Sequence, residues 1–214
     1  FAVSMTINMF ITGGRAGQVM YFAMLTIIIF QFFNHEKIKS LVAVLVLVPL
    51  IFLTAYMTSD LFQQRVNEAV KNTISYSDNM STSVGQRITF ALNSWEVIKE
   101  NPIIGIGTGD LPIEYKKINQ IKTPKMPNTT NPHNMYTLIA MELGVIGLIS
   151  MLSIFYYQIK LSFNSSNRFI RDVGITLPLL FLVIMWSDSY LLGHYTSLMF
   201  VFFSSFLYKD FEKY

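Results

Sequence analysis

The fold class follows from residues 41–58, which read LVAVLVLVPLIFLTAYMT and contain no charged side chain. An α-helix rises 1.5 Å per residue, so about 20 apolar residues are needed to cross about 30 Å of hydrocarbon. This stretch nearly meets that length, and Pro49 within it is tolerable as a kink. It therefore predicts a transmembrane helix and sets the class of the chain.

Further apolar stretches repeat the pattern at 17–33 and 135–158, and in shorter form at 173–186 and 195–208. Residues 1–12 resemble the tail of a cut span, because the sequence starts without Met inside an apolar run. Only 14% of the 214 residues are charged, against roughly 25% in soluble domains. We therefore predict an all-α, multi-spanning membrane protein, and we expect the chain to be a fragment of a longer one.

The orientation follows from the lysines and arginines of the short loops. Basic side chains occur at 34–40, at 160–172 and after residue 208, and alternating spans place all three groups on one side, which is predicted to be the cytoplasm. The predicted organisation is transmembrane helices in 1–58, a large periplasmic loop at 59–132 and three transmembrane helices in 133–214. These segments form a single membrane domain.

The predicted loop contains helices of its own. Residues 60–74 have a helical pattern, and Ser83 to Gln86 fits a capping box ahead of a helix at 84–100. One face of that helix is apolar, carrying Val84, Ile88, Ala91, Leu92, Trp95 and Ile98, with Arg87 on its flank. This face could lie on the membrane surface, close to lipid phosphate. A polar stretch with four lysines, at 116, 117, 122 and 125, follows residue 109 within the predicted loop.

Arg15 lies between two spans, at the predicted outer boundary, within the sequence TGGRAG at 12–17. One interpretation is an interfacial anchor whose side chain reaches water. The flanking glycines favour an anion site instead, because they let a ligand approach the backbone and leave amides free at a helix start.

The sequence NPHNMY at 131–136 precedes the fourth span and places His133 in the first turn of a helix. Histidine accepts protons near external pH, so a general base is one interpretation, and an interfacial histidine beside Tyr136 is the other. Glu142 lies nine residues on, about 13 Å deeper along the helix, where a structural hydrogen bond is favoured over catalysis. Asp188 and His194 are interpreted as loop residues.

Several classes of function are excluded. The chain has no cysteine, so it has no disulfide or thiolate metal site, and a net charge of +3 does not indicate nucleic-acid binding. The glycines at 105–109 follow a helix and not a strand, which excludes a dinucleotide fold. The outer segments show no carboxylate cluster with metal-ligand spacing, so we expect neither a metal nor a cofactor.

Taken in order, the motifs resemble the O-antigen ligase and polymerase family of lipid-linked glycan transferases. They are GGRAG at 13–17, the helix with Arg87 and Trp95, NPIIGIGTG at 101–109, HNMY at 133–136 and ELGVIG at 142–147. The resemblance covers about residues 12–149. It departs from the family at Gly14, where many members have serine.

The resemblance implies a glycosyltransferase of lipopolysaccharide biosynthesis in the bacterial inner membrane. Its donor would be a glycan on polyprenyl (undecaprenyl) diphosphate, and its acceptor hydroxyl would belong to the lipid A core, the next repeat unit or a protein. Arg15 and Arg87 would bind the diphosphate, and His133 would be the base or would position the acceptor. The further substrate-binding residues would be Trp95, Gly105, Gly107, Asn134 and Tyr136.

Two arginines supply fixed positive charge for a leaving diphosphate, which predicts a metal-independent enzyme. A single base without a carboxylate nucleophile predicts inversion at the sugar. A repeat-unit polymerase and an O-linked oligosaccharyltransferase remain alternatives within the family. A transporter or flippase of a lipid-linked solute is the alternative from another class, supported by Glu142 in a span and by glycine-interrupted helices.

Overall fold

The computed structural model describes residues 2–12, 14–33 and 36–209, and every regular element within them is a helix. Gly13 of the predicted arginine turn lies outside the described residues. In chain order the helices are α1 (Ala2–Ile11), α2 (Arg15–Phe32), α3 (Lys37–Thr58), α4 (Asp60–Ile74), α5 (Ser83–Glu100), α6 (Leu111–Lys122), α7 (Met135–Phe163), α8 (Arg168–Ile184), a 3₁₀ turn at Tyr190–Leu192, and α9 (His194–Leu207). The predicted all-α class is confirmed for this part of the chain.

Three of these helices are long and apolar enough to cross a membrane, namely α2 with 18 residues, α3 with 22 and α7 with 29. They coincide with the predicted spans at 17–33, 41–58 and 135–158. The other predicted spans are helical but shorter, since α1 has 10 residues, α8 has 17 and α9 has 14. The described part of the chain thus contains the helices of an integral membrane protein.

The first compact unit, Phe1–Ser75, contains α1 to α4 around an aromatic cluster. Phe10 and Phe62 are buried there and pack edge to face, with ring centroids 5.1 Å apart. Ser59 joins α3 to α4, because its Oγ accepts from the Phe62 N–H at 3.3 Å and donates to the Phe10 carbonyl at 2.8 Å. One serine therefore ends a membrane-length helix, caps the next helix and ties both to α1.

The second compact unit, Tyr76–Tyr214, holds α5 to α9 around a separate core. The buried side chains of this core come from α5, α6, α7 and the end of α8; they are Phe90, Val97, Leu111, Tyr115, Met135, Leu138, Met141, Met151, Phe155, Phe181 and Met185. The first turns of α7 lie at its centre, and the loop helices α5 and α6 belong to the same core. The predicted loop is therefore an ordered part of the fold.

The cap of α5 differs from the predicted one. Thr82 is the N-cap, and its Oγ1 accepts from the Gly85 N–H at 3.0 Å. Ser83 is already inside the helix, so the predicted capping box is wrong by one residue. Gln86 instead donates its side-chain amide to the Ser81 carbonyl at 3.2 Å.

The polar stretch after residue 109, within the predicted loop, forms α6. Its buried face carries Leu111, Tyr115 and Asn119, which are spaced four residues apart. Asn119 is satisfied there, because its amide donates to the Met126 carbonyl at 2.9 Å and to Asn128 Oδ1 at 3.0 Å. The polar Asn119 on the buried face obscures the helical period, so this helix was not identified from the sequence.

Helix α7 is interrupted at Gly144, whose φ of 61° and ψ of −158° are not helical. Glycine adopts this left-handed φ without a steric penalty. The predicted span at 135–158 is helical, but α7 consists of two helical halves that meet at the glycine, a break that was not predicted at this residue.

The turn at 102–107 fills this break with backbone hydrogen bonds. Two amides of the second half of α7 donate to the turn, and two amides of the turn donate to the first half. The bonds are Val145 to Pro102 at 2.9 Å, Ile146 to Ile103 at 3.2 Å, Ile106 to Met141 at 2.9 Å and Gly107 to Glu142 at 3.0 Å. A broken helix leaves such groups without helical partners, and the turn supplies the missing ones.

Candidate functional site

His133 lies directly before α7, which is capped by Asn134. It is therefore outside the helix, and its predicted place in the first turn is wrong. Its φ is 54°, in the left-handed region that residues with a side chain seldom adopt. The Asn131 side chain supports this conformation, because its Oδ1 accepts from the His133 N–H at 2.9 Å.

The imidazole of His133 faces the carboxylate of Asp188, with 3.2 Å between Nδ1 and Oδ1. The same Oδ1 accepts from the Ser189 N–H at 2.7 Å and from the Asn131 side-chain amide at 3.4 Å. Ser189 in turn donates its hydroxyl to Asn131 Oδ1 at 2.7 Å. A neutral imidazole that donates Nδ1–H to a carboxylate keeps the lone pair on Nε2, which is the atom that a general base uses.

Phe90 of α5 supports the face of the same ring. The two rings are nearly parallel, with an interplanar angle of 22° and centroids 6.0 Å apart. Phe90 is buried, whereas His133 is half-buried. The imidazole is thus fixed by a carboxylate at its edge and an aromatic ring at its face, while part of it stays accessible.

Asn134 and Tyr136 tie the start of α7 to the end of α8. Asn134 donates its side-chain amide to the Trp186 carbonyl at 3.2 Å and accepts from the Thr137 N–H at 3.0 Å. The Tyr136 hydroxyl donates to the Leu182 carbonyl at 2.6 Å. These contacts join the two helices next to His133, and substrate contact by Asn134 and Tyr136 remains a prediction.

Arg87 lies on α5 one turn before Phe90, and residues three apart are neighbours on a helix surface. Its side chain is exposed and makes no hydrogen bond or ion pair with another residue that the structure describes. All five of its N–H donors are therefore available, in the forked geometry that matches phosphate oxygens. Arg87 and Phe90 lie on the same helix, α5, and the Phe90 ring packs on the ring of His133.

Trp95 lies on the apolar face predicted for α5. That face points away from the core, because the buried side of α5 carries Phe90, Asn93 and Val97. Trp95 and its neighbour Leu92 are accordingly exposed. The structure leaves Trp95 free to contact a ligand or lipid, but it shows no contact between Trp95 and His133.

Gly105, Gly107 and Glu142 belong to the contact between the turn and α7. The Gly105 N–H donates to the Asn101 carbonyl at 3.0 Å, and the Gly107 N–H donates to the Glu142 carbonyl, so both amides are in use. The Glu142 carboxylate accepts from the Gly109 N–H at 3.2 Å, which is the structural hydrogen bond favoured from sequence. These residues build the scaffold, and ligand binding by the two glycines remains a prediction.

In the first unit, Arg15 is the first residue of α2 and follows Gly14. Its Nη2 lies 3.1 Å from Glu68 Oε2, and Arg65 Nη1 lies 3.3 Å from the same oxygen. A hydrogen bond from Gln64 and the charges of the two arginines hold the pKa of Glu68 below its ordinary value of 4.5. Two guanidinium groups share one carboxylate, so the cluster keeps one net positive charge.

A cavity of about 410 Å³ adjoins the His133–Asp188 network. Its lining residues are Asn131, Asp188, Ser189, Tyr190, Leu192, Gly193, His194, Tyr195 and Thr196. Two of these, Asn131 and Asp188, also hold His133. Its volume falls within the range of small-ligand sites, and its lining combines aromatic and hydrogen-bonding side chains.

Comparison with known proteins gives the family. Residues 1–152 of the 214 match the family described as O-antigen ligase. The chain belongs to the O-antigen ligase family. The resemblance inferred from the order of the motifs is thereby confirmed, and the family is one of membrane glycosyltransferase-like enzymes.

A Haemophilus influenzae protein described as uncharacterized is 31% identical to this O-antigen ligase family chain over 172 residues. The similar region covers 73% of this chain and 41% of that protein. The chain thus spans about two fifths of the length of the relative.

The O-antigen ligase match includes Arg15, Arg87 and His133, but it ends at residue 152, before Asp188. Sequence analysis missed the contact of Asp188 with His133, which crosses 55 residues. The chain order did contain one signal for this contact. Helices α7 and α8 are consecutive and joined by a short turn, so they run antiparallel and the start of α7 lies near the end of α8. Arg65 was also missed, although its spacing of three from Glu68 suits an ion pair on a helix.

Proposed function

We propose that this chain carries the reaction centre of a membrane glycosyltransferase of the O-antigen ligase type. The donor is a glycan on polyprenyl (undecaprenyl) diphosphate, and the acceptor is a hydroxyl at the outer, periplasmic face of the bacterial inner membrane. The proposal rests on the His133–Asp188 pair at 3.2 Å. A carboxylate that orients an imidazole with an available Nε2 is the arrangement of a general base.

In the proposed reaction, His133 Nε2 takes the proton of the acceptor hydroxyl while the acceptor oxygen bonds to the anomeric carbon. The bond from this carbon to the diphosphate oxygen breaks on the opposite face, so the configuration is inverted. Polyprenyl diphosphate leaves with the electron pair of that bond. Asp188 stabilises the imidazolium, which then releases its proton to water.

Arg87 is the proposed diphosphate ligand of the second unit, because its guanidinium is exposed and unpaired among the described residues. In the first unit, Arg15 is a proposed phosphate ligand in its own right, and Glu68 holds its side chain in place. Fixed guanidinium groups stabilise charge that develops on a leaving phosphate. On this ground we propose a metal-independent reaction.

The acceptor is proposed to enter through the cavity next to Asp188. Tyr190 and Tyr195 offer flat aromatic faces for the C–H side of a sugar ring, while Asn131 and Thr196 offer hydrogen bonds to hydroxyl groups. A sugar held there would lie against the residues that orient His133.

The proposed topology has transmembrane helices within 1–58, an outward segment at 59–132, and transmembrane helices again within 133–214. It is supported by the basic residues at 34–40 and 160–172, which the proposal assigns to the cytoplasmic side. Both Arg15 and His133 then belong to outward-facing ends of helices.

A repeat-unit polymerase and an O-linked oligosaccharyltransferase would use the same donor chemistry. Expression of the full-length gene in strains that lack each activity separates them, because a polymerase restores long chains, a ligase restores their attachment to lipid A core, and an oligosaccharyltransferase glycosylates protein. A transporter or flippase is supported less, since the Glu142 carboxylate is bound to Gly109 of a turn.

The deciding experiment measures the release of polyprenyl diphosphate from a lipid-linked glycan by purified full-length protein. Wild type is compared with His133→Ala and Arg87→Ala, each checked for folding by circular dichroism. Acceptor-dependent release by wild type, lost in both variants, supports the proposal. Equal release by wild type and both variants would reject this site, and no release with any of the three acceptor classes would favour transport.

A further inference from the structure

Ile103 and Ile104 are 61% and 70% exposed, although they lie in the ordered turn at 102–107 that fills the break in α7. The two adjacent isoleucine side chains, which we call the apolar projection, are not packed against other described residues over most of their surface. The backbone around them is fixed by hydrogen bonds to α7, so their exposure is built into the fold and not a consequence of a loose loop.

The length of α7 shows where this projection lies relative to a membrane. The helix has 29 residues, more than the roughly 20 that cross about 30 Å of hydrocarbon. Lys160 and Arg168 mark the end at Phe163 as a membrane surface. About 20 residues counted back from Phe163 end at Gly144.

The two halves of α7 differ in a way that agrees with this boundary. Before Gly144, Leu138 and Met141 are buried in the core of the second unit. Beyond Gly144, Ile146 and Ile149 are exposed on one face, as expected of side chains that face lipid, while Met151 and Phe155 still pack in that core. The exposed apolar face of α7 therefore begins close to the break, where the count of about 20 residues also ends.

We infer that Ile103 and Ile104 insert into the lipid leaflet opposite the Lys160 end of α7. Hydrogen bonds from Val145 and Ile146 to Pro102 and Ile103 place the turn at the depth where the span begins. These bonds bring the turn beside Val145 and Ile146, whose side chains are also exposed. The partner of the apolar projection is the acyl-chain region just below the headgroups.

The backbone of the turn suits this depth. Irregular backbone is tolerated in hydrocarbon only where its polar groups are paired within the protein. Four hydrogen bonds join the break in α7 to the turn. The N–H and carbonyl groups in these bonds are therefore paired when they lie at the depth of the lipid.

The test places a nitroxide spin label on Ile104→Cys in the full-length protein, reconstituted in phosphatidylethanolamine and phosphatidylglycerol vesicles. Residues 1–214 contain no cysteine, and any cysteine elsewhere in the full-length protein is first replaced with serine so that it does not compete for the label. Ile121→Cys is the matched control, because Ile121 is 78% exposed in the same unit but lies at the polar end of α6. The measurement compares collisions of each label with oxygen, which concentrates in lipid, and with a water-soluble nickel chelate.

The label at 104 is expected to collide several times more with oxygen than with nickel, and the label at 121 to show the reverse. Nickel collisions in excess at 104 would place the turn in water and overturn the inference. Low collision with both reagents would mean that another protein segment covers the turn, which also overturns it. The readout is position and not activity, so it is independent of the proposed reaction.

Discussion

Gly105 and Gly144 meet where the turn at 102–107 crosses α7, and neither position has room for a side chain. A Cβ on Gly105 would lie 2.4 Å from the carbonyl carbon of Glu142, and a Cβ on Gly144 would lie 2.3 Å from that of Ile103. Both residues have left-handed φ angles, 72° and 61°. The two backbones approach this closely only because both residues are glycine.

Replacing Gly144 with alanine is expected to lower the free energy of unfolding by about 3 kcal/mol or more. A residue with a side chain at φ 61° and ψ −158° is strained by about 1–3 kcal/mol, and separation of the backbones breaks hydrogen bonds worth about 1 kcal/mol each. Denaturation in mixed detergent micelles measures the change. Gly109→Ala is the matched control, because its φ is 91° but nothing lies within 4 Å of its Cβ position; equal losses in both variants would contradict the role of close approach.

Asp188→Asn is expected to lower the rate of polyprenyl diphosphate release about 10²-fold, within the range of 10²–10⁴ for a general base. The amide keeps the shape of the side chain but no longer stabilises the imidazolium. Because the two residues act as a unit, Asp188→Asn combined with His133→Ala should be no slower than His133→Ala alone. Asp78→Asn, an exposed carboxylate of the same unit, should leave the rate unchanged, and multiplicative losses in the double variant would separate Asp188 from the mechanism of His133.

Glu68 makes the stability of the first unit sensitive to acid. Its folded-state pKa is lowered, first by the Gln64 hydrogen bond and then by Arg65 and Arg15. A depressed carboxylate pKa contributes stability that is present above the unfolded pKa and is lost as pH falls through the folded pKa. The thermal midpoint of wild type should therefore fall more between pH 5 and pH 3 than that of Glu68→Gln, with Gln64→Ala in between. Parallel curves for the three proteins would refute the assignment.

Tyr195→Ala is expected to raise the KM for the acceptor about tenfold while the KM for the lipid-linked donor stays constant. Tyr195 is 90% exposed at the cavity, so its removal takes away a stacking face without disturbing the core. Leu198→Ala, one turn further along α9 and outside the cavity lining, serves as the control. A change in donor KM alone would assign the cavity to the other substrate.

Release of polyprenyl diphosphate should be unaffected by EDTA, because arginine side chains supply the positive charge in the proposed reaction. The assay is repeated after dialysis against chelator and again with added magnesium or manganese. Activity that disappears with chelator and returns with either ion would show that a metal takes part.

The ends of the helices could be predicted where they depend on residues that are close together in the sequence. The end of α3 at Thr58 and both ends of α4 coincide with the predicted positions, because an uncharged run and a polar helical segment meet at a serine cap. The break at Gly144 was not predictable in this way. Its cause is pairing with a turn some 40 residues earlier, which leaves no trace in the apolar period of α7.

The site was predictable in part for the same reason. Arg87 and His133 lie in short local motifs that are visible in the sequence, whereas Asp188 and Arg65 are ordinary polar residues until the fold brings them to a partner. A contact between the start of α7 and the end of α8 depends on how two long helices pack, and no local pattern reports that geometry.

His133 is the non-glycine residue with a positive φ among those that the structure describes. A left-handed conformation costs a residue with a side chain about 1–2 kcal/mol, so a sequence chosen for folding alone would have glycine at this position. On the proposed mechanism, folding and catalysis place opposing demands on position 133. A search for thermostable variants of this protein should recover His133→Gly as a gain in stability, and on the proposed mechanism that variant would lose its transferase activity.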